Sequence, residues 1–190
     1  MAADLDSARE TLLAELREHA LVIGEVTLSS GQTAQYYVDA KRALLRPAGF
    51  RAAGELIAAE AAERGARAVG GMTMGADPLA TAAIAAPGGA DLLAFFVRKE
   101  RKQHGLQRSI EGPPLEPGTS CLVVEDVVTT GGSTVQALER ITEEGLRVAG
   151  VVTVVDRLAG GGEAIEAASG GAPYRALVTI DELHPDRPDR

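Results

Sequence analysis

Apolar and polar positions along the chain follow two rhythms, one of helical period and one of short, nearly unbroken apolar runs. From about Asp4 to Ala20, the residues Leu5, Leu12, Leu13, Leu16 and Ala20 recur at helical spacing and predict a first helix. VTLSSGQTAQYYVDAK, residues 26–41, holds short runs around a Ser-Ser-Gly turn and predicts a small hairpin or irregular sheet. Pro47 opens a helical run that reaches about Arg64, and Gly65 ends it. Proline suits that first turn, because the N–H it lacks would have had no helical partner. ARAVGG, ADLLAFFV, TSCLVVED, RVAGVVTVVD and YRALVTI are then strand-like, and helical segments from Pro78, Ser133 and Glu163 separate most of them. Strands that are apolar on both faces and alternate with helices predict an α/β fold, a Rossmann-like parallel sheet flanked by helices. No repeat or linker interrupts the pattern, so 1–190 reads as a single domain, and the tail HPDRPDR is expected to fray.

Composition changes this picture little. With 45% hydrophobic residues, 22 glycines, 3% aromatics and no Trp, the chain has an ordinary globular make-up and a core of Ala, Val, Leu and Ile. The first twenty residues carry Asp4, Asp6, Glu10 and Glu15, and no later run has the length of a membrane span, so a cytoplasmic location with no membrane partner is expected. The single cysteine, Cys121, lies inside an apolar strand, where a buried inert thiol is expected rather than a nucleophile or metal ligand. A net charge of -8 argues against nucleic acid as a general partner, since the overall field repels it.

Local charge departs from that average. RKERKQHGLQRSIEGPP, residues 98–114, sets Arg98, Lys99, Arg101, Lys102 and Arg108 against Glu100 before Ser109. A charge run is ordinarily a solvated face. This one is a long polar connection between two strands, and such loops carry function more often than the elements they join.

In an open parallel sheet, ligands lie beyond the carboxyl ends of the strands. Four such ends carry candidates: Gly70 to Asp77, Arg98 to Arg108, Glu125 to Thr134, and Asp156 with Arg157. The third, VVEDVVTTGGST at 123–134, ends a buried strand on two carboxylates and follows them with small and hydroxylated residues. Thr129, Thr130, Gly131, Gly132 and Ser133 can offer backbone N–H groups and hydroxyls at the start of the next helix, where the positive dipole end favours an anion. Carboxylates accept hydrogen bonds from vicinal hydroxyls. A ligand with both features, a ribose 5-phosphate, reconciles the acids with the cradle. Neither Gly-Lys-Ser/Thr nor Gly-x-Gly-x-x-Gly after the first strand is present, which removes support for a P-loop NTPase or a dinucleotide site.

VVEDVVTTGGST resembles the phosphoribosyl-diphosphate (PRPP) signature of type I phosphoribosyltransferases. VTLSSGQTAQYY, VRKERKQHG and VDR at 155–157 resemble, in that order, segments of the orotate-specific members, so the likeness spans nearly the whole chain. The resemblance implies a small N-terminal hood, mainly from about 1–45, and a mobile catalytic loop of about 99–112. It implies transfer of the phosphoribosyl group of PRPP to orotate, giving orotidine 5′-phosphate and diphosphate in pyrimidine (UMP) biosynthesis.

Carried over by position, Glu125 and Asp126 would bind the ribose hydroxyls. Val127, Val128, Thr129, Thr130, Gly131, Gly132, Ser133 and Thr134 would hold the 5-phosphate, and Arg98, Lys99, Lys102 and His104 the diphosphate. Met72, Thr73, Met74 and Gly75 match the loop beneath the diphosphate, where a cis peptide is expected. Thr129, Arg157, Tyr37 and Val38 would contact orotate, with Lys102, Asp126 and Lys99 the catalytic set. Magnesium is implied as cofactor, held mainly by PRPP and water rather than by a protein cage. A homodimer that shares the loop across its interface is also implied.

Three positions depart from the pattern: Ser29 and Met74 stand where many relatives have Lys, and Glu125 where the commoner first acid is Asp. Fewer cations would then reach the diphosphate. His19 and His184 receive no role, and Tyr36 with Tyr37 reads equally as cover for the sheet edge. Two alternatives stay open, a different acceptor base such as a purine and a PRPP-sensing regulator that binds nucleic acid.

Overall fold

The computed structural model describes residues 4–27, 33–100 and 109–189, with the backbone alone at Thr27. The first helix, α1 (Leu5–Glu15), is capped by the Asp4 carboxylate, which accepts from the Ser7 N–H at 3.2 Å, and Leu16–Ala20 adds a wider π-helical turn. A two-stranded antiparallel sheet follows, β1 (Leu21–Thr27) and β2 (Thr33–Val38), with Leu21 opposite Val38. The Ser-Ser-Gly turn predicted between them lies outside the described residues. Two helices come next, α2 (Lys41–Leu44) and α3 (Pro47–Glu63), the second starting on Pro47 as its sequence requires.

The main sheet has six strands: β3 (Ala68–Met72), β4 (Leu93–Val97), β5 (Ile110–Glu111), β6 (Ser120–Val128), β7 (Arg147–Asp156) and β8 (Tyr174–Thr179). Their order is β5-β4-β3-β6-β7-β8. All neighbours are parallel except β5, which pairs antiparallel with β4 at the edge. The parallel sheet read from the sequence is present, and it gains one short antiparallel edge strand that the sequence did not reveal. A two-residue strand at the foot of a polar loop is too short to show an apolar period.

Helices α4 (Asp77–Ala85), α5 (Gly132–Glu143), α6 (Gly161–Ala168) and α7 (Ile180–Leu183), with a 3₁₀ turn at Pro87–Gly89, complete the chain. The sheet separates two apolar clusters. One joins α1, α3 and α4 through Leu12, Leu16, Ile57 and Leu79 to Val124, Val152 and Val154. The other joins α5 and α6 through Leu138, Ile141 and Ile165 to Phe95, Val123 and Val151. Burial on both faces explains the unbroken apolar runs of β3, β6 and β7. Cys121 is buried, and burial pushes its thiol up to about 12, the inert thiol expected.

The tail does not fray through its last described residues. The Tyr36 hydroxyl donates to Asp189, which also pairs with Arg187 at 3.2 Å. Composition predicted a solvated end, whereas a buried tyrosine hydroxyl needs a partner and takes Asp189.

Candidate active site

Between β3 and β6 the strand order reverses: from β3 the sheet grows to β4 on one side, and from β6 to β7 and β8 on the other. The helices that leave the two strands diverge and open a crevice at the carboxyl edge. The loop after β3 runs along that crevice, and its Thr73–Met74 peptide is cis, at the position expected. The Thr73 N–H bonds to the Val97 carbonyl at 2.9 Å, and the Thr73 hydroxyl donates to Asp77 at 2.6 Å, which fixes the loop to β4 and to the start of α4. Gly75 has no room for a side chain. A Cβ there would lie 2.6 Å from both Asp126 Oδ1 and Glu125 Oε1, so the loop backbone lies directly against the acid pair.

Glu125 and Asp126 are both buried and lie inside β6, which runs two residues beyond them to Val128, rather than ending the strand as the sequence suggested. They point to different tasks. Glu125 Oε2 accepts from the Ser133 hydroxyl at 2.8 Å and the Thr134 hydroxyl at 3.1 Å, so this carboxyl is tied to the first turn of α5. Burial pushes the Glu125 carboxyl up and the charge of Asp126 adds to it, while the hydroxyl bonds pull the other way; it comes to rest at about 7. Asp126 Oδ1 accepts from the Val127 N–H at 2.9 Å, and its Oδ2 accepts from Lys41 Nζ at 2.7 Å. Burial opposes the charge on Lys41, but the bond and charge of Asp126, with Asp39 behind it, raise its pKa above the ordinary lysine value.

Thr129 and Thr130 are exposed, Gly131 takes φ 78° at the cap of α5, and Gly132 begins the helix. The left-handed turn at Gly131 is also sterically closed to a side chain, since a Cβ would meet the Gly161 carbonyl at 2.8 Å. Around Gly132 nothing lies within 4 Å of such a Cβ, so the cradle mouth is open. Residues 129–134 thus offer backbone N–H groups, and Thr129 and Thr130 their hydroxyls, at the positive end of a twelve-residue helix, while the Ser133 and Thr134 hydroxyls are given to Glu125.

Beside the acids lies a pocket of about 200 Å³ lined by Tyr37, Val38, Lys41, Asp126, Val127, Thr129 and Arg157. The four residues expected at the base, Tyr37, Val38, Thr129 and Arg157, meet there. Arg157 reaches it because the ends of β6 and β7 are in register, Val128 opposite Asp156, and its N–H bonds to the Val128 carbonyl at 2.9 Å. The Arg157 guanidinium donates to the Tyr36 hydroxyl at 3.1 Å.

Arg98 and Lys99 line a second hollow of about 450 Å³ with Thr73, Phe96, Glu100 and Glu111. Arg98 pairs there with Glu111 at 2.8 Å, and its N–H bonds to the Ser109 carbonyl. Residues 109–112 of the expected mobile loop therefore include a paired strand. Lys102 and His104, like Ser29, lie outside the described residues. Among the described residues no group of three His, Cys, Asp or Glu could cage a metal ion.

Sequence reasoning missed Lys41. The signal was DAK shortly after the aromatic pair, but nothing in one sequence says that the turn into α2 brings this lysine across to the acids of β6.

Fold and site together define an α/β protein with a buried acid pair, an anion cradle and a small pocket side by side at the switch point of its sheet. The sequence matches the phosphoribosyl transferase domain family over residues 42–171. It is 49% identical over 176 residues to an orotate phosphoribosyltransferase of Corynebacterium glutamicum, covering 93% of this chain and 94% of that one. Orotate phosphoribosyltransferase of Mycobacterium tuberculosis, solved in complex with Fe(III) dicitrate, superposes with a TM-score of 0.83 at 45% identity, over 93% of this chain and 99% of that one. The same enzyme solved with PRPP gives a TM-score of 0.78 at 40% identity, over 93% and 98%. The chain belongs to the phosphoribosyltransferase family, among its orotate phosphoribosyltransferases.

Proposed function

We propose that the protein transfers the phosphoribosyl group of PRPP to orotate, releasing diphosphate and orotidine 5′-phosphate. The observation that carries this reading is one edge of the sheet, where the acid pair, the open cradle of 129–134 and the pocket with Arg157 adjoin. Ribose hydroxyls on Glu125 and Asp126 and a phosphate on the cradle place the anomeric carbon toward the pocket. A ring nitrogen of orotate bonds to that carbon as its bond to diphosphate breaks; the electron pair leaves with the diphosphate, whose oxygen takes up the proton that the ring nitrogen gives up. The transition state is oxocarbenium-like and uses no protein nucleophile, so positioning and charge supply the rate. Arg157 suits a carboxylate-bearing base, since a guanidinium can bind a carboxylate through two parallel bonds. It gives an alternative purine acceptor no such match.

Magnesium fits the site as cofactor. It would be held mainly by PRPP and water, as a hard divalent ion that keeps several waters, with the carboxylate oxygens of Asp126 and Glu125 on the ribose side of it. When bound, the ion would neutralise charge on the departing diphosphate. Lys102 is the residue assigned to the leaving group, with Arg98, Lys99 and His104. A homodimer that shares this loop suits the position of Arg98 and Lys99 in a hollow separate from the base pocket. A cytoplasmic location suits an enzyme of a soluble phosphorylated substrate, and among the described residues no helix is long and apolar enough to cross a membrane.

The reading is tested by following orotate absorbance with PRPP and magnesium present. Absorbance falls only when both are added, and uracil, adenine or guanine in place of orotate yields no nucleotide. Turnover of a purine and not of orotate would overturn the assignment.

A further inference from the structure

Beyond the pocket lining, Arg157 is held from behind by the C-terminal segment. Its guanidinium lies 5.0 Å from the Tyr36 ring centre and donates to the Tyr36 hydroxyl, and that hydroxyl donates in turn to the Asp189 carboxylate at 3.0 Å. Arg157 Nη2 itself is 3.8 Å from Asp189, so the tyrosine hydroxyl relays most of the contact. Tyr36 is 3% exposed, with the His184 ring packed edge-on at 5.2 Å, and cannot turn away. Asp189 is fixed in its own right: Arg187 bonds it at 3.2 Å and also pairs with Asp181 in α7. A chain of charged and hydroxyl groups therefore runs from Asp181 in α7, through the tail, to the arginine of the base pocket.

We propose that Asp189 is a positioning residue for base recognition: through Tyr36 it fixes the orientation of the Arg157 guanidinium toward a carboxylate in the pocket. A free arginine side chain samples many rotamers, and each must be given up when a substrate is clamped. Holding one nitrogen on Tyr36 settles that orientation before orotate arrives. Asp189 is already paired with Arg187, so it orients Arg157 without matching it as sole counter-ion. The 3.8 Å separation agrees with this. The inference rests on the orotate reading above and adds the source of its carboxylate selectivity.

The test uses the full-length enzyme and three variants, Asp189→Asn, Tyr36→Phe and the two combined. Tyr36→Phe keeps the buried ring and removes only the hydroxyl, so folding is preserved and thermal unfolding checks it. Each single variant raises KM for orotate by roughly three- to tenfold, the range that the net strength of one hydrogen bond supports, and leaves KM for PRPP within about twofold. The double variant is no worse than the poorer single one, because both changes cut the same relay. Asp189→Glu recovers part of the loss. Orotate KM unchanged in both single variants overturns the proposal, as does an equal rise in both Michaelis constants, which marks general loosening. A lower orotate KM also overturns it, by showing that Asp189 competes with the substrate. Wild-type enzyme that does not consume orotate would instead bring down the orotate reading and this inference with it.

Discussion

Replacing Lys41 with Met removes the ammonium that Asp126 holds at 2.7 Å but keeps most of the side-chain volume. The lysine side chain is 40% exposed and the aspartate 10%, so the contact lies between a surface pair and a buried one. A hydrogen bond between charged groups contributes about 1.5–3 kcal/mol when sheltered, and exposed pairs contribute less than about 1. For this half-sheltered pair about 1–2 kcal/mol is expected, a fall of roughly 5- to 30-fold in kcat/KM for PRPP. The loss depends on pH. Glu125 already titrates at about 7 because it is buried beside the Asp126 charge. Without the ammonium, Glu125 faces an uncompensated Asp126 charge and holds its proton to higher pH, so the ionised Glu125 needed for the ribose hydroxyls forms only at higher pH. The acid limb of the kcat/KM profile therefore moves upward in Lys41→Met, and activity recovers toward pH 9. Lys41→Arg keeps the charge and stays close to wild type. Initial rates of orotate loss between pH 6 and 9 measure this. A Lys41→Met profile that overlays the wild type in height and position would refute the reasoning.

Arg157→Ala is expected to raise KM for orotate far more than KM for PRPP, with a loss of roughly 2–5 kcal/mol for a buried charged clamp; equal effects on both substrates would count against it. Glu125 carries a carboxyl raised from 4.5 to about 7, so its protonated form is favoured by the fold, and its contribution to stability is full below the lower value and lost as pH rises through the higher. Glu125→Gln, which cannot ionise, should therefore gain in Tm relative to wild type between pH 5 and pH 8, by about 5 °C, and calorimetry that finds the same difference at both pH values would remove the raised carboxyl from the account. Lys102→Ala and Asp126→Asn should each be nearly inactive alone, yet mixed and exchanged they should recover about a quarter of all sites in hybrid dimers. No recovery, with hybrids proven by mass spectrometry, would mean that each subunit uses its own loop.

Most of the fold was legible because its strands are buried on both faces, which writes them as long apolar runs, and because Pro47, Gly65 and the 129–132 turn mark element ends chemically. The edge strand Ile110–Glu111 was not, since two residues beside a polar loop carry no period. In the site, Glu125 and Asp126 were found as a pair, but their different partners were not readable. Ser133 and Thr134 take Glu125 through the geometry of the first turn of α5, while Lys41 takes Asp126 from a helix some eighty-five residues earlier in the chain. The tail misled for the same reason: HPDRPDR is polar, and only Tyr36, brought over from β2, gives Asp189 a buried partner. Sequence showed which groups were available at each strand end, and long-range packing chose their partners.

A crystal structure of the enzyme with PRPP, magnesium and orotate tests the central claim most directly. The account predicts the 5-phosphate on the N–H groups of 129–134 and the Thr129 and Thr130 hydroxyls, the ribose hydroxyls on Glu125 and Asp126, and the orotate carboxylate on Arg157 in the pocket beside Lys41. A phosphate bound elsewhere, or a base whose carboxylate faces away from Arg157, would contradict it.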